Sequence, residues 1–511
     1  MNLRKILKNI EILDTKNFID FDVDIKKICY NSKFITESSL FVAIKGYITD
    51  GHKYILQAYE KGAVCAIVED FIDCEIPQLK VENTRIELAN VSKNFYDDPS
   101  QKLNIVGITA TNGKTTTSFM LDKIYNDAGY RTGIIGTVYT KYSDITIPSV
   151  LTTPESLELQ SFFRDMLKKK IEKVTMEVSS SSEELYRVKN IDFNIVAFNN
   201  FSREHIDQHG SFEKYYEAKS KLVKEASKNA VAILNMDFDH IKDLLTQTKA
   251  RVITYSLENN DYDFSISELD LSTGFGKYIF NVNRNIDFND FVLKKQSFEI
   301  NLSVAGYSSV MNSVAAIIIS LVQNIDVDII KKSISAFSGV ERRFEMIYDE
   351  KFKIIDDHYA NVKNIDVTLE TLSKMKYKNF RMLYAIRGNR GVNLNRETAE
   401  ETAKWLKKLD AKTFYATLSK DTVSKKDEVS KEELEIFLNI MEKYNINVKV
   451  FDNLENSVYE ILKTADKGDV VLFAGCQGMD KGAKFAYNYL KSNNLMKDEN
   501  YLKNKINNRI C

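Results

Sequence analysis

Short apolar runs recur along the chain, LFVAI at 40–44, VCAIV at 64–68 and LNIVGI at 103–108, and each reads as a buried strand. Between them the period changes. Met120, Ile124 and Ala128 stand four apart, which places them on one face of a helix. Alternation of strand-period and helix-period segments predicts an α/β fold. No low-complexity tract or repeat interrupts it, and only four prolines and nineteen glycines punctuate the chain, so domain borders are set by shifts of pattern. The stretch FYDDPSQKLN around Pro99 and the stretch GVERRFEMI around Arg343 mark such shifts. They divide the chain into regions 1–97, 98–340 and 341–511. A length of 511 residues exceeds what one core supports and agrees with several folding units.

Composition narrows the class. Hydrophobic residues are 44% and charged residues 28%, with a formal net charge of −1, which excludes a disordered chain and a global polyanion-binding surface. Nucleic acid is not an expected partner. Five cysteines, Cys29, Cys65, Cys74, Cys476 and Cys511, lack CxxC spacing and fit a reducing compartment without a zinc or disulfide framework. The start MNLRKILKNIEIL has no leader-like apolar core, and no run approaches the ~18 apolar residues of a membrane span. The expectation is a cytoplasmic, monomeric enzyme that does not enter membranes.

The segment ITATNGKTTTS, 108–118, carries the first chemistry. It follows a buried-strand pattern and opens a periodic helix, the order a phosphate site requires. Backbone N–H groups of Ala110, Thr111, Asn112 and Gly113 and of the helix start at Thr115 and Thr116 suit phosphate oxygens. Gly113 lets the main chain approach, Lys114 supplies a point charge, and the Thr115 hydroxyl suits magnesium. Ile108 stands where the general phosphate-loop spacing has its first glycine, so that spacing is not met.

The loop instead resembles the signature of the Mur ligase family, with Ala110 in place of its first glycine. The likeness extends over about the first 345 residues, and it is greatest to the branch that adds a third amino acid to a UDP-N-acetylmuramoyl peptide in peptidoglycan synthesis. It implies three α/β domains: an N-terminal uridine-binding domain, a central ATP-binding domain with a mostly parallel sheet, and a C-terminal Rossmann-like domain that binds the amino acid. In the first, Asn31-Ser32-Lys33 takes the place of the family's Asp-Ser-Arg, and Ser32 is the implied nucleotide contact. In LTTPESLELQ, Thr152 and Thr153 are implied to hold the muramoyl peptide, with Ser179 and Arg187 at two further substrate positions.

The segment NFSREHIDQHGSFEKYYEAKSKL resembles the family's metal and lysine region, with His205 and Glu177 in the places of magnesium-directing groups and Lys219 in that of a carbamylated lysine. Asn312 and Arg343 are implied ATP contacts, and either Asp356 or Asp357 stands where the family has an aspartate near the nucleotide. Arg390, Gly475 and Asp480 match positions that receive the incoming amino acid.

The resemblance implies an ATP- and magnesium-dependent ligase that activates a carboxylate as an acyl phosphate and then joins it to a free amino acid. Where the diaminopimelate-adding members carry Asp-Asn-Pro-Arg, this chain reads FYATLSKDTVSKKDEV with Ser419, Lys420 and Asp421. No arginine clamps a distal carboxylate there. If Asp480 or Asp421 faces the distal amine, lysine or ornithine is the expected acceptor. A ligase acting on another acceptor or peptide stage, and a nucleotide-binding regulator without ligation, are the competing expectations.

Overall fold

In a computed structural model of the chain, described over residues 1–46, 49–202, 210–288, 290–359 and 361–507, three sheets carry the fold. The first contains β1 (Asp14–Lys16), β2 (Lys27–Cys29), β3 (Ser39–Val42), β4 (Ala63–Val68) and β5 (Gln78–Lys80) in the order β1-β5-β4-β3-β2. Strands β2 to β5 are parallel and β1 closes the edge antiparallel. Leu40 and Val42 pack with Ile67, Leu88 and Val91, while Phe41 and Ala43 pack with Ile55, Ala58 and Ala66. Side chains alternate across a strand, so a sheet covered on both faces needs an unbroken apolar run.

The second sheet contains β6 (Asn104–Thr109), β7 (Thr132–Ile135), β8 (Tyr139–Tyr142), β9 (Ile145–Pro148), β10 (Lys173–Glu177), β11 (Ile195–Phe198), β12 (Val231–Asn235), β13 (Arg251–Ser256) and the start of β14 (Phe264–Asp270). Parallel pairing runs β7-β10-β6-β11-β12-β13, and β8 and β9 extend it as an antiparallel meander. Val174, Met176, Val196, Phe198 and Leu234 pack one face against Leu159, Phe163 and Leu222 of flanking helices. Strand β6 lies between β10 and β11, so the chain leaves it to one side and later continues on the other. A crevice opens at the C-terminal ends of strands at such a reversal.

In chain order there follow β15 (Phe275–Val282), a ribbon of β16 (Ile286–Asp287) and β17 (Val292–Leu293), and β18 (Gln296–Ala305). The third sheet has β19 (Glu345–Asp349), β20 (Lys353–His358), β21 (Phe380–Ala385), β22 (Thr413–Thr417), β23 (Lys449–Phe451) and β24 (Val470–Gly475) in the order β19-β20-β24-β21-β22-β23. It is parallel except for β19. The helices Val362–Lys374 and Gly391–Lys408 contribute to one apolar cluster on it, and Leu454–Lys463 and Gly482–Ser492 to another.

Two compact units result: Met1–Ser265 with Val282–Lys295 and Ala315–Ile330, and Ile266–Asn281 with Gln296–Val314 and Lys331–Cys511. Among the described residues no helix is long and apolar enough to cross a membrane.

Candidate active site

The turn after β6 enters the helix Lys114–Asp127 through Gly113, whose φ of 89° is open to glycine without steric cost. Ala110 has no left-handed backbone, so alanine sits in the loop without strain of that kind. The loop is tied to the end of β11. Thr111 N donates to Asn200 O, Asn112 N donates to Asn200 Oδ1 at 3.0 Å, and Asn200 Nδ2 returns a bond to Asn112 O. Lys114 Nζ donates to the carbonyls of Ala110 at 2.8 Å and Thr111 at 3.2 Å. Thr116 is buried at the helix start.

Glu177, the last residue of β10, pairs in register with Ile108 of β6, which brings its carboxylate to the same strand ends as the loop. The side chain is fully buried, and Thr115 Oγ1 at 2.9 Å, Thr137 N at 2.9 Å and Thr137 Oγ1 at 3.0 Å all donate to it. Burial pushes its pKa up, opposed by the Thr137 amide and the charge of Lys114. A Cβ on Gly136 would stand 2.8 Å from Glu177 Cδ, so glycine there makes room for the carboxylate. No pattern in the sequence singles out Thr137 or Gly136, because their contact with Glu177 joins the ends of two different strands.

Next to Glu177 lies the expected substrate cluster. Thr153 Oγ1 donates to Glu177 O at 2.9 Å and accepts from Ser179 N at 3.1 Å, and Thr152 Oγ1 is 3.1 Å from Thr137 Oγ1. Arg187 belongs to this cluster, but its guanidinium faces the protein: Nε donates to Glu155 Oε1 at 3.0 Å and Nη1 donates to Thr153 O at 3.2 Å. Its visible part is to hold 153–155. Ser32 is also buried, with its hydroxyl donating to Gln57 Oε1 at 2.6 Å.

Lys219 lies on the helix Phe212–Lys224, is buried, and donates through Nζ to Ala110 O at 2.7 Å. Two lysine ammonium groups, Lys114 and Lys219, therefore converge on one carbonyl oxygen. His205 lies outside the described residues. Among the described residues no three histidine, cysteine, aspartate or glutamate side chains converge as metal ligands.

In the other unit, Asn312 is buried on the helix Tyr307–Leu321 and Arg343 is exposed. Asp356 is buried and pairs with Arg342, with Nε to Oδ1 at 3.3 Å. Asp357 accepts from Phe344 N at 2.8 Å and from the Thr368 hydroxyl. Arg390 is exposed at the start of the helix Gly391–Lys408, where its backbone N donates to Glu433. Gly475 ends β24, and a Cβ there would meet Ala385 Cβ at 2.7 Å.

The acids expected to face a distal amine are otherwise engaged. Asp421 caps the helix Leu454–Lys463, accepting from Leu454 N at 2.8 Å and Glu455 N at 3.2 Å, and Asp480 pairs with Arg342. Lys420 pairs with Asp452 at 2.6 Å. Asp421 and Asp480 therefore both have partners within the protein. Burial first, and then the charges of Arg343, Arg342 and Arg387, push the His358 imidazole down to about 3.

A cavity of about 420 Å³ elsewhere in the first unit is lined in part by Glu183, Tyr186, Lys189 and Lys221. Glu183 is buried with Oε1 unpartnered. Burial, reinforced by Glu225 and opposed by Lys221 and Lys219, pushes it up to about 8. An acid whose folded pKa lies above its unfolded value binds the additional proton in the native state. Native stability therefore falls as pH rises from about 4.5 to about 8. Glu183→Gln is expected to stabilise the protein by an amount that grows over this window to a few kcal/mol. Thermal unfolding at about pH 5 and about pH 8.5 checks this; an equal shift at both would show that ionisation of Glu183 carries no such penalty.

Three family models match the chain, described as Mur ligase family, catalytic domain, at residues 24–103, Mur ligase middle domain at 108–320, and Mur ligase, glutamate ligase domain, at 342–477. The chain is 32% identical over 467 residues to the UDP-N-acetylmuramoyl-L-alanyl-D-glutamate–2,6-diaminopimelate ligase of Bacillus licheniformis, covering 89% of this chain and 90% of that protein. The protein of the same name from Clostridium botulinum is 34% identical over 400 residues, covering 76% and 79%. A solved structure of a UDP-N-acetylmuramoyl-L-alanyl-D-glutamate–2,6-diaminopimelate ligase shares the fold, with a TM-score of 0.71 at 20% identity over 97% of this chain and 99% of that one. Folylpolyglutamate synthase of Mycobacterium tuberculosis shares it more distantly, with a TM-score of 0.60 at 14% identity over 78% and 94%.

Proposed function

The chain belongs to the Mur ligase family, and from that membership we propose that it adds the third amino acid to UDP-N-acetylmuramoyl-L-Ala-D-Glu with hydrolysis of ATP to ADP and phosphate. The observation that carries the reading is the convergence of Lys114, Thr115, Glu177, Thr137 and Thr153 at the C-terminal ends of adjacent strands. The borders 1–97, 98–340 and 341–511 delimit the nucleotide-sugar, ATP and amino-acid domains in this reading. A monomer in the cytoplasm is part of the same proposal.

A carboxylate oxygen of the muramoyl peptide bonds to the γ-phosphorus of ATP as the bond to the bridging oxygen breaks, giving an acyl phosphate and ADP. The amino acid's nitrogen then attacks the acyl carbon, phosphate leaves, and the nitrogen loses a proton. Nothing in this needs a nucleophilic side chain, so the protein's task is positioning and charge neutralisation. Lys114 turns from the carbonyls of Ala110 and Thr111 toward phosphate. Asn200 takes the amides of Thr111 and Asn112 and so fixes the loop, against the expectation that these two amides face phosphate. The backbone donors left for phosphate include those of the helix start at Thr115 and Thr116.

The Thr115 hydroxyl and the Glu177 carboxylate, 2.9 Å apart, are hard oxygen donors of the kind magnesium takes. Magnesium, when bound, neutralises charge on the phosphoryl group. Lys219 as an ammonium has no lone pair, so it joins that set only as a carbamate, and His205 is the remaining member of the proposed set. Thr152 and Ser179 orient the peptide carboxylate. Thr153 is fully buried with its hydroxyl between Glu177 O and Ser179 N, so it is not free for the peptide contact expected of it and holds the segment together with Arg187.

Purified protein incubated with ATP, UDP-muramoyl dipeptide and one amino acid at a time is expected to release ADP only when both acceptor and amino acid are present. The product mass should rise by one amino-acid residue. ATP turnover indifferent to both, with no new mass, would support the regulator instead.

A further inference from the structure

We propose that Arg342 is a specificity-determining residue: it is an internal cation that occupies the acidic position of the amino-acid site, so the acceptor is chosen without an unpaired distal ammonium. This rests on the ligase reading and deepens it. Arg342 is buried, and every part of it is engaged. Its backbone N donates to Glu345 Oε2 at 3.0 Å and its carbonyl accepts from His358 N at 2.9 Å. Nε meets Asp356 at 3.3 Å, Nη1 donates to Cys476 O at 3.0 Å and to Asp480, and Nη2 donates to Gly475 O. One guanidinium thus holds both carboxylates and the chain that runs from Gly475 to Asp480.

The backbone is bent to put it there. Arg342 has φ 55° and Phe344 φ 49°, both in the left-handed region that long side chains rarely adopt. The strain persists because the surrounding bonds determine it. Burial pushes the Asp480 carboxyl up, Arg342 opposes this, and Asp356 and Glu341 add to the push. Arg342 is thus the cation that both Asp356 and Asp480 share.

A lysine or ornithine acceptor brings a terminal ammonium that needs such a carboxylate. Here it would meet one already paired, near Arg343 and Arg387, whose charges reach His358. An acceptor whose distal ammonium is accompanied by its own carboxylate carries no such unpaired charge. Burying an unpaired charge is what separates the two classes.

Glycine is the substitution this backbone accepts most easily, because φ 55° costs it nothing. Turnover of lysine, ornithine and diaminopimelate by wild type, Arg342→Gly and Arg342→Lys is the test. The ratio of kcat/KM for lysine to that for diaminopimelate is expected to rise about tenfold or more in Arg342→Gly, through a lower KM for lysine, and to change little in Arg342→Lys. An unchanged ratio in an active Arg342→Gly, or a wild type that prefers lysine, would overturn the proposal.

Calorimetric titration of the folded proteins with lysine reads the same preference without turnover: tighter binding to Arg342→Gly supports it and equal Kd overturns it. Should Arg342→Gly fail to fold, Asp480→Asn decides. An unchanged lysine-to-diaminopimelate ratio agrees with a carboxylate already consumed by Arg342, and a selective loss of lysine turnover contradicts it. A wild type inactive with every acceptor counts against the ligase reading, while the titration still judges Arg342.

Discussion

Lys114→Ala is expected to lower kcat for ligation by at least about 10²–10³-fold, the scale lost when one preorganised donor to developing charge is removed. The fold should survive. Lys114 is only partly buried, and it donates to two loop carbonyls, those of Ala110 and Thr111. Gly113 and the ties from Asn200 to Thr111 and Asn112 set the loop's shape independently of the lysine. Unfolding temperature and the affinity for the muramoyl substrate should therefore stay near wild type while acyl phosphate formation is lost. A variant that turns over at nearly the wild-type rate would remove the assignment of this loop to ATP.

Lys219→Ala should be equally severe, and its recovery distinguishes a chemical role from a packing one. Lys219 is buried beside Tyr215, with Nζ 5.2 Å from the ring centre and 2.7 Å from Ala110 O. Two ammonium groups on one carbonyl repel each other at short range in a poorly solvated place. A carbamate on Lys219 removes that repulsion: its nitrogen retains a hydrogen to donate to Ala110 O, and its carboxylate provides the oxygen that magnesium takes. Loss of about 10²-fold or more in kcat is expected on removal, with part of it restored by added short-chain carboxylates that fill the space. The parent protein should carry an additional 44 Da lost on acidification. Full activity in a protein whose Lys219 is an unmodified ammonium would sink the carbamate, whatever the variant does.

The local pattern was enough for the elements and for the strand-turn-helix arrangement around Gly113. Runs at 40–44, 64–68 and 103–108 became β3, β4 and β6 within two residues, and Met120 and Ile124 lie buried on the helix that Lys114 opens. Side-chain alternation and helical period are local properties, and the composition of a strand-turn-helix phosphate loop is contiguous in the chain, so both are legible without neighbours.

What depends on contacts between distant strands was not. The sequence could nominate Glu177, but only the β6–β10 register shows that Thr115 and Thr137 hold its carboxylate and that Gly136 leaves it room. Asp421 and Asp480 looked alike as acids that a distal amine could reach. The fold sends Asp421 to a helix N-terminus 33 residues away in sequence and gives Asp480 to an arginine 138 residues away. A carboxylate's partner is chosen by distance in space and by the need to neutralise buried charge, neither of which is written in spacing along the chain.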